Sequence, residues 1–276
     1  MFVCLNGSLV SGKVDWPEFA HLAARIGFPG TEVFLGKAMA EGLDSTRALL
    51  KTLKLKVPSV SLPVEFRKDE ATFQSGLKNF EPAVQFVAAL GSPGMTTWVL
   101  PSSENPKSEQ WKILKGRFQA MAAVLAKSRL RLGIEFVSPV HLRKLYPYEF
   151  IWRMDEMLAF AKECGPNVGL LLDSWHWHHA GATARDIVDA GAERIVHVHV
   201  SDAPRVPPEE IRDGQRLMPG EGIIDFTTFF QALKKAGYKG GVSPEVLGRL
   251  KQVAPEDGAK LGLRTTLIVM KKAGVA

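Results

Sequence analysis

Apolar runs of strand length alternate with amphipathic stretches of helical period along the whole chain. FVCLNG (2–7) precedes DWPEFAHLAARIG (15–27), and TEVFLG (31–36) precedes a helix predicted around 43–54. KVPSVSLP (56–63) leads into a long helical region reaching Gly91. MTTWVLP (95–101), RLGIEFV (131–137), VGLLLD (168–173), RIVHVHV (194–200) and GGVSPEV (240–246) follow as strands. Their predicted helices lie near 107–127, 148–164, 183–190, 225–236 and 256–272. In FIWRMDEMLAFAKECG, Ile151, Met154, Leu158 and Ala161 share one helical face and Gly165 supplies the stop. In IDFTTFFQALKKAG, Asp225 is the N-cap, Phe226, Phe229, Phe230 and Leu233 face inward, and Gly237 ends the helix.

Most of the strands are nearly unbroken apolar runs, as parallel strands covered on both faces must be. Eight strand–helix units over 276 residues predict a single (β/α)8 TIM barrel spanning 1–276. A doubly wound open sheet is the alternative. It needs a glycine-rich phosphate turn after the first strand, and LNGSLVSGK is a poor version of one.

Composition changes this picture little. With 46% apolar and 23% charged residues the chain reads as soluble and globular. No apolar run approaches the ~20 residues of a membrane helix. MFVCLNGSLV lacks a basic leader and a small-residue cleavage site, so it reads as a strand of the mature fold and the expected location is cytoplasmic. Cys4 and Cys164 have no metal spacing and read as buried thiols. The net charge of +6 invites an anionic partner, but the basic residues are scattered. The densest run, KTLKLK (51–56), reads as a solvated helix face, so no nucleic-acid partner is expected.

The chemistry is expected where strands end, because a TIM barrel carries its active site at the C-terminal rim. Strand five ends at Glu135 and strand six at Asp173, inside the unusual stretch LLLDSWHWHHAG. Strand seven carries His197 and His199, and strand eight carries Glu245. His199 is read as facing the barrel mouth, and His197 as hydrogen-bonded between the strand and helix layers. Glu135, Asp173, His199 and Glu245 thus converge from four consecutive strands. Three carboxylates at one point repel unless a cation compensates them. One divalent metal ion fits this donor set, and the mixture of oxygens with one nitrogen does not choose among Mn, Mg, Co and Zn. Trp98, Trp175 and Trp177 each read either as packing or as an apolar wall for sugar C–H groups. His178 and His179 read as loop residues.

The stretches LGIEFVSP, LLLDSWHW, HVHVSDAPR, LMPGEGIIDF and GYKGGVSPE resemble the xylose-isomerase-like TIM barrel superfamily of sugar isomerases and epimerases. EFVSP is most like the inosose isomerase branch. The ketose 3-epimerase branch implies that Glu135, Asp173, His199 and Glu245 hold the metal, with Glu135 and Glu245 doubling as the catalytic acid and base. It implies that His176 and Arg205 bind substrate. Arg216, ahead of PGEG, is a second candidate for holding a substrate oxygen. The implied reaction is isomerisation or epimerisation of a ketose or inosose by proton transfer through an enediolate. A dehydratase acting on an inosose or 3-keto sugar is the alternative, since its first proton abstraction is the same. An endonuclease IV-like repair enzyme would need histidines on earlier strands, and strands three (SLP) and four (WVLP) carry none. Retention of both glutamates argues against a non-catalytic sugar-binding barrel. A homo-oligomer is left open, with no interface legible. Pro244, directly before Glu245, predicts either a bulge or an early end to strand eight.

Overall fold

The computed structural model describes all 276 residues. Eight parallel strands run in chain order as β1 (Phe2–Leu5), β2 (Gly30–Thr31), β3 (Val60–Ser61), β4 (Gly94–Val99), β5 (Arg131–Phe136), β6 (Val168–Asp173), β7 (Ile195–Val200) and β8 (Gly241–Pro244). Across the sheet, β1 lies between β2 and β8, and the remaining strands follow from β8 down to β3. The ring closes at the last seam, where Thr31 N donates to Lys56 O and Lys56 N donates to Pro29 O, just ahead of β3. Helices surround this ring, which makes the fold a TIM barrel. No helix is long and apolar enough to cross a membrane. Both cysteines are buried and unpaired.

The interior of the barrel is narrow. A Cβ added to Gly133 would lie 3.0 Å from Thr96 Cγ2 and from Val196 Cβ across the barrel. Small residues at this level leave the polar residues to the rim above. One register slip matters there. Leu170 of β6 pairs with Ile195, but Leu171 pairs with His197, so Val196 is the extra residue of a bulge. The slip brings Asp173 directly beside His199.

His197 does not sit between the strand and helix layers. Residues two apart on a strand share a face, so His197 points into the barrel one level below His199. The two rings meet edge to face at 5.2 Å, and His197 Nε2 is 2.9 Å from Ser243 Oγ. Other boundaries also differ from expectation. β2 has two residues, and VFLG bends into a helix at Leu35–Glu41 because Leu35 and Ala38 bury one helical face. The helix expected from 148 begins at Met154, because Tyr148–Glu149 pair antiparallel with Ser102–Ser103. The long region before Gly91 is two helices, Glu70–Lys78 and Phe80–Ala89. The residues after Asp173 are not a loop but a short helix, Ser174–His179, capped by Asp173.

Strand eight ends at Pro244. The next residue, Glu245, donates its N–H to Val200 O of β7 at 3.0 Å. Alternation therefore turns the Pro244 nitrogen toward β1, where the ladder has already stopped at the Val3–Val242 pair. The proline costs no ladder bond.

The long connection after β7 is organised by Asp202. Its buried carboxylate accepts the backbone N–H groups of Ala203, Gly220, Gly222 and Ile224 at 2.8–2.9 Å. Asp202 and Leu217 also exchange two backbone hydrogen bonds of 2.8 Å. Gly222 is required here, because a Cβ would meet Asp202 Oδ1 at 2.7 Å. This wrapping explains PGEG and places Arg216 over the barrel mouth. Asp202→Ala removes the acceptor of four backbone N–H groups, two of them in buried hydrogen bonds, and is expected to cost about 3 kcal/mol. Urea unfolding of the variant beside the parent chain checks this.

Candidate metal centre

Glu135 is the penultimate residue of β5, Asp173 ends β6, His199 is the penultimate residue of β7, and Glu245 follows β8. One ligating atom from each lies within 4.8 Å of the others. The structure therefore brings together all four residues that the strand ends predicted. His199 Nδ1 is 3.5 Å from Glu245 Oε2 and 3.9 Å from Glu135 Oε1. Both His199 Nδ1 and Glu135 Oε1 are buried and have no hydrogen-bond partner. Two orphaned donor atoms facing one point, with carboxylates on either side, fit a divalent cation.

Arg216 lies in the middle of this group and is 2% exposed. Its Nη1 donates to Asp173 Oδ2 at 2.6 Å and to Glu245 Oε2 at 2.8 Å. Asp213 Oδ1 accepts from its Nη2 at 2.9 Å, and the guanidinium carbon stands 5.5 Å from the Trp175 ring. Trp175 is fully buried beneath it, and Trp177 packs on Phe229, so both tryptophans are packing residues.

The two glutamates are driven apart electrostatically. Burial, then the charges of Glu245 and Asp173, push the Glu135 carboxyl well above its usual range. Burial acts on Glu245 in the same sense, but His199 and Arg216 outweigh it and hold that carboxyl well below its usual range. Burial disfavours the charged His199 ring, yet Glu245, Glu32 and Glu135 raise its pKa well above the ordinary value. In the protein alone, one glutamate thus favours its acid form and the other its base form.

His176 faces the same centre from the short helix and is buried. Ser138 N–H points at its Nδ1 at 3.2 Å, while Arg216 Nη2 stands 3.2 Å from its Nε2. A neutral imidazole accepts at only one nitrogen. Ser138 N–H and Arg216 Nη2 are both donors, so a neutral His176 satisfies one of the two contacts and not the other. Burial, with Arg216 adding to it, lowers the pKa of His176 to about 3.

Trp98 pairs in register with Glu135 and is 43% exposed at the rim. Arg67 stacks on it at 4.2 Å and donates to its carbonyl at 2.6 Å. Arg205 lies exposed on the loop after β7 and makes no hydrogen bond or ion pair with the cluster. His178 and His179 are outside the ligand group. Two residues of the site, Glu32 and Ser138, were not singled out from the sequence. Glu32 directly follows β2, as Glu245 follows β8, but it stood inside what reads as a longer run, TEVFLG.

The model of the xylose isomerase-like TIM barrel family matches residues 12–270, and the chain belongs to that family. Its relatives include the inosose isomerase of Halalkalibacterium halodurans, 24% identical over 83% of this chain and 80% of that protein. They also include the 3-dehydroshikimate dehydratase of Pseudomonas aeruginosa, 29% identical over 98% of this chain and 41% of that longer protein. Among solved structures, a xylose isomerase domain protein from Alicyclobacillus acidocaldarius superposes with a TM-score of 0.92, at 28% identity and 99% coverage of both chains. The IOLI protein with a binding zinc atom superposes with a TM-score of 0.84, at 21% identity and 99% coverage of both chains. The named relatives are isomerases and dehydratases, so the family is one of enzymes.

Arg216→Met leaves the buried carboxylates uncompensated. It is expected to lower unfolding stability by about 3 kcal/mol in the presence of chelator, with part of the loss regained when a divalent cation is added; denaturant titrations with and without the ion read both effects. A separate expectation concerns acid. Unfolded His176 takes a proton below about pH 6.5, whereas the folded ring stays neutral to about pH 3. The unfolded chain binds more protons in this window, so stability is lost as pH falls through it. In His176→Gln the slope of unfolding free energy between about pH 6 and 4 should be shallower by up to about 1.4 kcal/mol per pH unit.

Proposed function

We propose that the chain is a divalent-metal-dependent isomerase or epimerase of a ketose or inosose. The observation that carries this reading is the position of Glu135 and Glu245. They come from strands separated by two others, and both carboxylates approach His199 Nδ1, at 3.9 and 3.5 Å. Glu245, held ionised, removes a proton from the carbon next to a carbonyl. Glu135 is the group assigned to return a proton to the resulting planar enediolate, at the neighbouring atom or on the opposite face. A bound cation (Mn, Mg, Co or Zn), held by Glu135, Asp173, His199 and Glu245, would supply Lewis-acid stabilisation of charge on the substrate oxygens.

The remaining residues orient the substrate. His176 offers Nε2 to a substrate oxygen. Arg216 offers its guanidinium, taking on this chain the place that the resemblance gave to Arg205. Trp98 presents an apolar face at the rim for sugar C–H groups. The partner is thus a small sugar or inosose. A dehydratase on the same residues is the second reading, favoured by the relative that matches 98% of the chain. Its proton abstraction is identical, but Glu135 then protonates a departing β-hydroxyl, which leaves as water.

Incubation of the metal-loaded protein with a panel of ketoses and inososes in deuterated buffer tests both. Parent protein should incorporate deuterium at the carbon next to the carbonyl. Glu245→Gln should slow this by about 10²–10⁴-fold; full exchange in that variant contradicts the assignment. A product lighter by one water selects the dehydratase.

A further inference from the structure

We infer that Glu32 is a positioning residue of the metal centre: it fixes the His199 ring so that Nδ1 is the ligating nitrogen. This rests on the reading of Glu135, Asp173, His199 and Glu245 as metal ligands. His199 has two distinct ring nitrogens with different surroundings. Nδ1 faces Glu135 and Glu245 and is without a hydrogen-bond partner. Nε2 faces the other way, 3.6 Å from Glu32 Oε1. A metal-ligating imidazole must be neutral, so one nitrogen binds and the other carries the proton. A carboxylate beside the second nitrogen selects that tautomer, orients the ring and increases its basicity.

Glu32 is itself held for this task. It follows β2 directly, and its N–H donates to Leu5 O of β1 at 3.0 Å. Asn6 Nδ2 donates to Glu32 Oε1 at 2.7 Å, while Asn6 Oδ1 accepts the N–H of Ser8 at 2.8 Å. Gly7 N–H reaches Glu32 Oε2 at 3.5 Å. The carboxylate is thus anchored by the end of β1, a part of the barrel that contributes no ligand. Glu32, His197 and His199 also place donor atoms within 4.8 Å of one another. His197 Nε2 is engaged with Ser243 Oγ at 2.9 Å and Glu32 Oε1 with Asn6, whereas His197 Nδ1 is buried without a partner. An outer carboxylate and a ligand of a second ion differ in zinc stoichiometry, which the test reads.

Zinc is the probe. Binding is measured by competition with a chromophoric chelator for the parent chain, Glu32→Gln and Glu32→Ala. Histidine-¹⁵N spectra of the zinc-loaded proteins report the His199 tautomer, its signals being identified by their loss in His199→Gln. The parent should bind one zinc, with Nδ1 ligated and Nε2 protonated. Glu32→Ala should weaken zinc binding by about 10–100-fold and replace the single His199 pattern by a mixture. Glu32→Gln, which retains an acceptor oxygen, should fall between. A merely structural role would change unfolding but leave the tautomer pattern intact. If the parent binds one zinc and both variants match it in affinity and spectrum, Glu32 has no such role. Two zinc ions per chain, one of them lost in Glu32→Ala and in His197→Gln, would make Glu32 a ligand and also overturn the inference. A parent chain that binds no zinc overturns the reading of the metal centre along with it. Should Glu32→Ala fail to fold, Glu32→Gln, which preserves size, decides the matter.

Discussion

The mouth of this barrel is governed by the need to neutralise Glu135, Asp173 and Glu245. Two like charges 4 Å apart repel by about 4 kcal/mol at the effective dielectric of a protein site. Several such pairs would consume a large part of the net stability of an ordinary domain. Raising one pKa relieves some of this, and Glu135 is raised. The rest falls to Arg216, which bridges Asp173 and Glu245. Much of the rim is organised to deliver that guanidinium. Asp202 folds the loop, Gly220 and Gly222 permit the fold, and Trp175 supports the charge from below. The loop is long because it must reach back across the barrel mouth.

Two parts of the fold divide the work. The four candidate ligands come from strand ends, three of them in ladders that fix their heights, and the bulge at Val196 sets Asp173 level with His199. The compensating cation comes from a connection clipped at one end. Arg216 Nη2 and Ser138 N–H compete for the one acceptor nitrogen of a neutral His176, each at 3.2 Å. Its bonds to Asp173 and Glu245 are worth most while those carboxylates lack another cation. On the proposed reading, an ion between the carboxylates weakens the hold on Arg216 and frees both it and His176 Nε2 for substrate oxygens. The arginine is then the counter-charge of the site in one state and its substrate clamp in the other.

The barrel and the four strand-end residues were legible in the sequence because each depends on short-range information. Unbroken apolar runs mark parallel strands, and the last polar residue of such a run must lie at the rim. Pro244 was legible as either a bulge or a strand end; that it is a strand end, and costs nothing, follows from the neighbouring ladder having stopped at Val242. His197 was misplaced because residues 197 and 199, two apart, share a face. Their partner strand is also slipped by one residue, and pattern alone does not show a bulge. Arg205 and Arg216 illustrate the other limit. The resemblance implied Arg205, with Arg216 as a second candidate, and the path of the loop, set by one buried carboxylate eighteen residues or more away from the glycines it binds, brings Arg216 inward. Glu32 was hidden because β2 is only two residues long and its apolar continuation is helix.

The relatives share a barrel yet bear the names of different reactions, and the electrostatics of this site offer a reason. On the proposed reading, Glu135 and Glu245 between them take a proton from carbon and deliver one. Nothing in that pair distinguishes return of the proton to carbon from its delivery to a departing hydroxyl. The distinction depends on which substrate atom stands over Glu135, and the ligands do not set that. His176, Arg216 and Trp98 do, through the oxygens they hold and the apolar face they present. On this reading the strand ends carry the chemistry common to isomerases and dehydratases, and the rim residues choose between them. Substitutions at the rim should therefore redirect the reaction, whereas substitutions at the strand ends should abolish it.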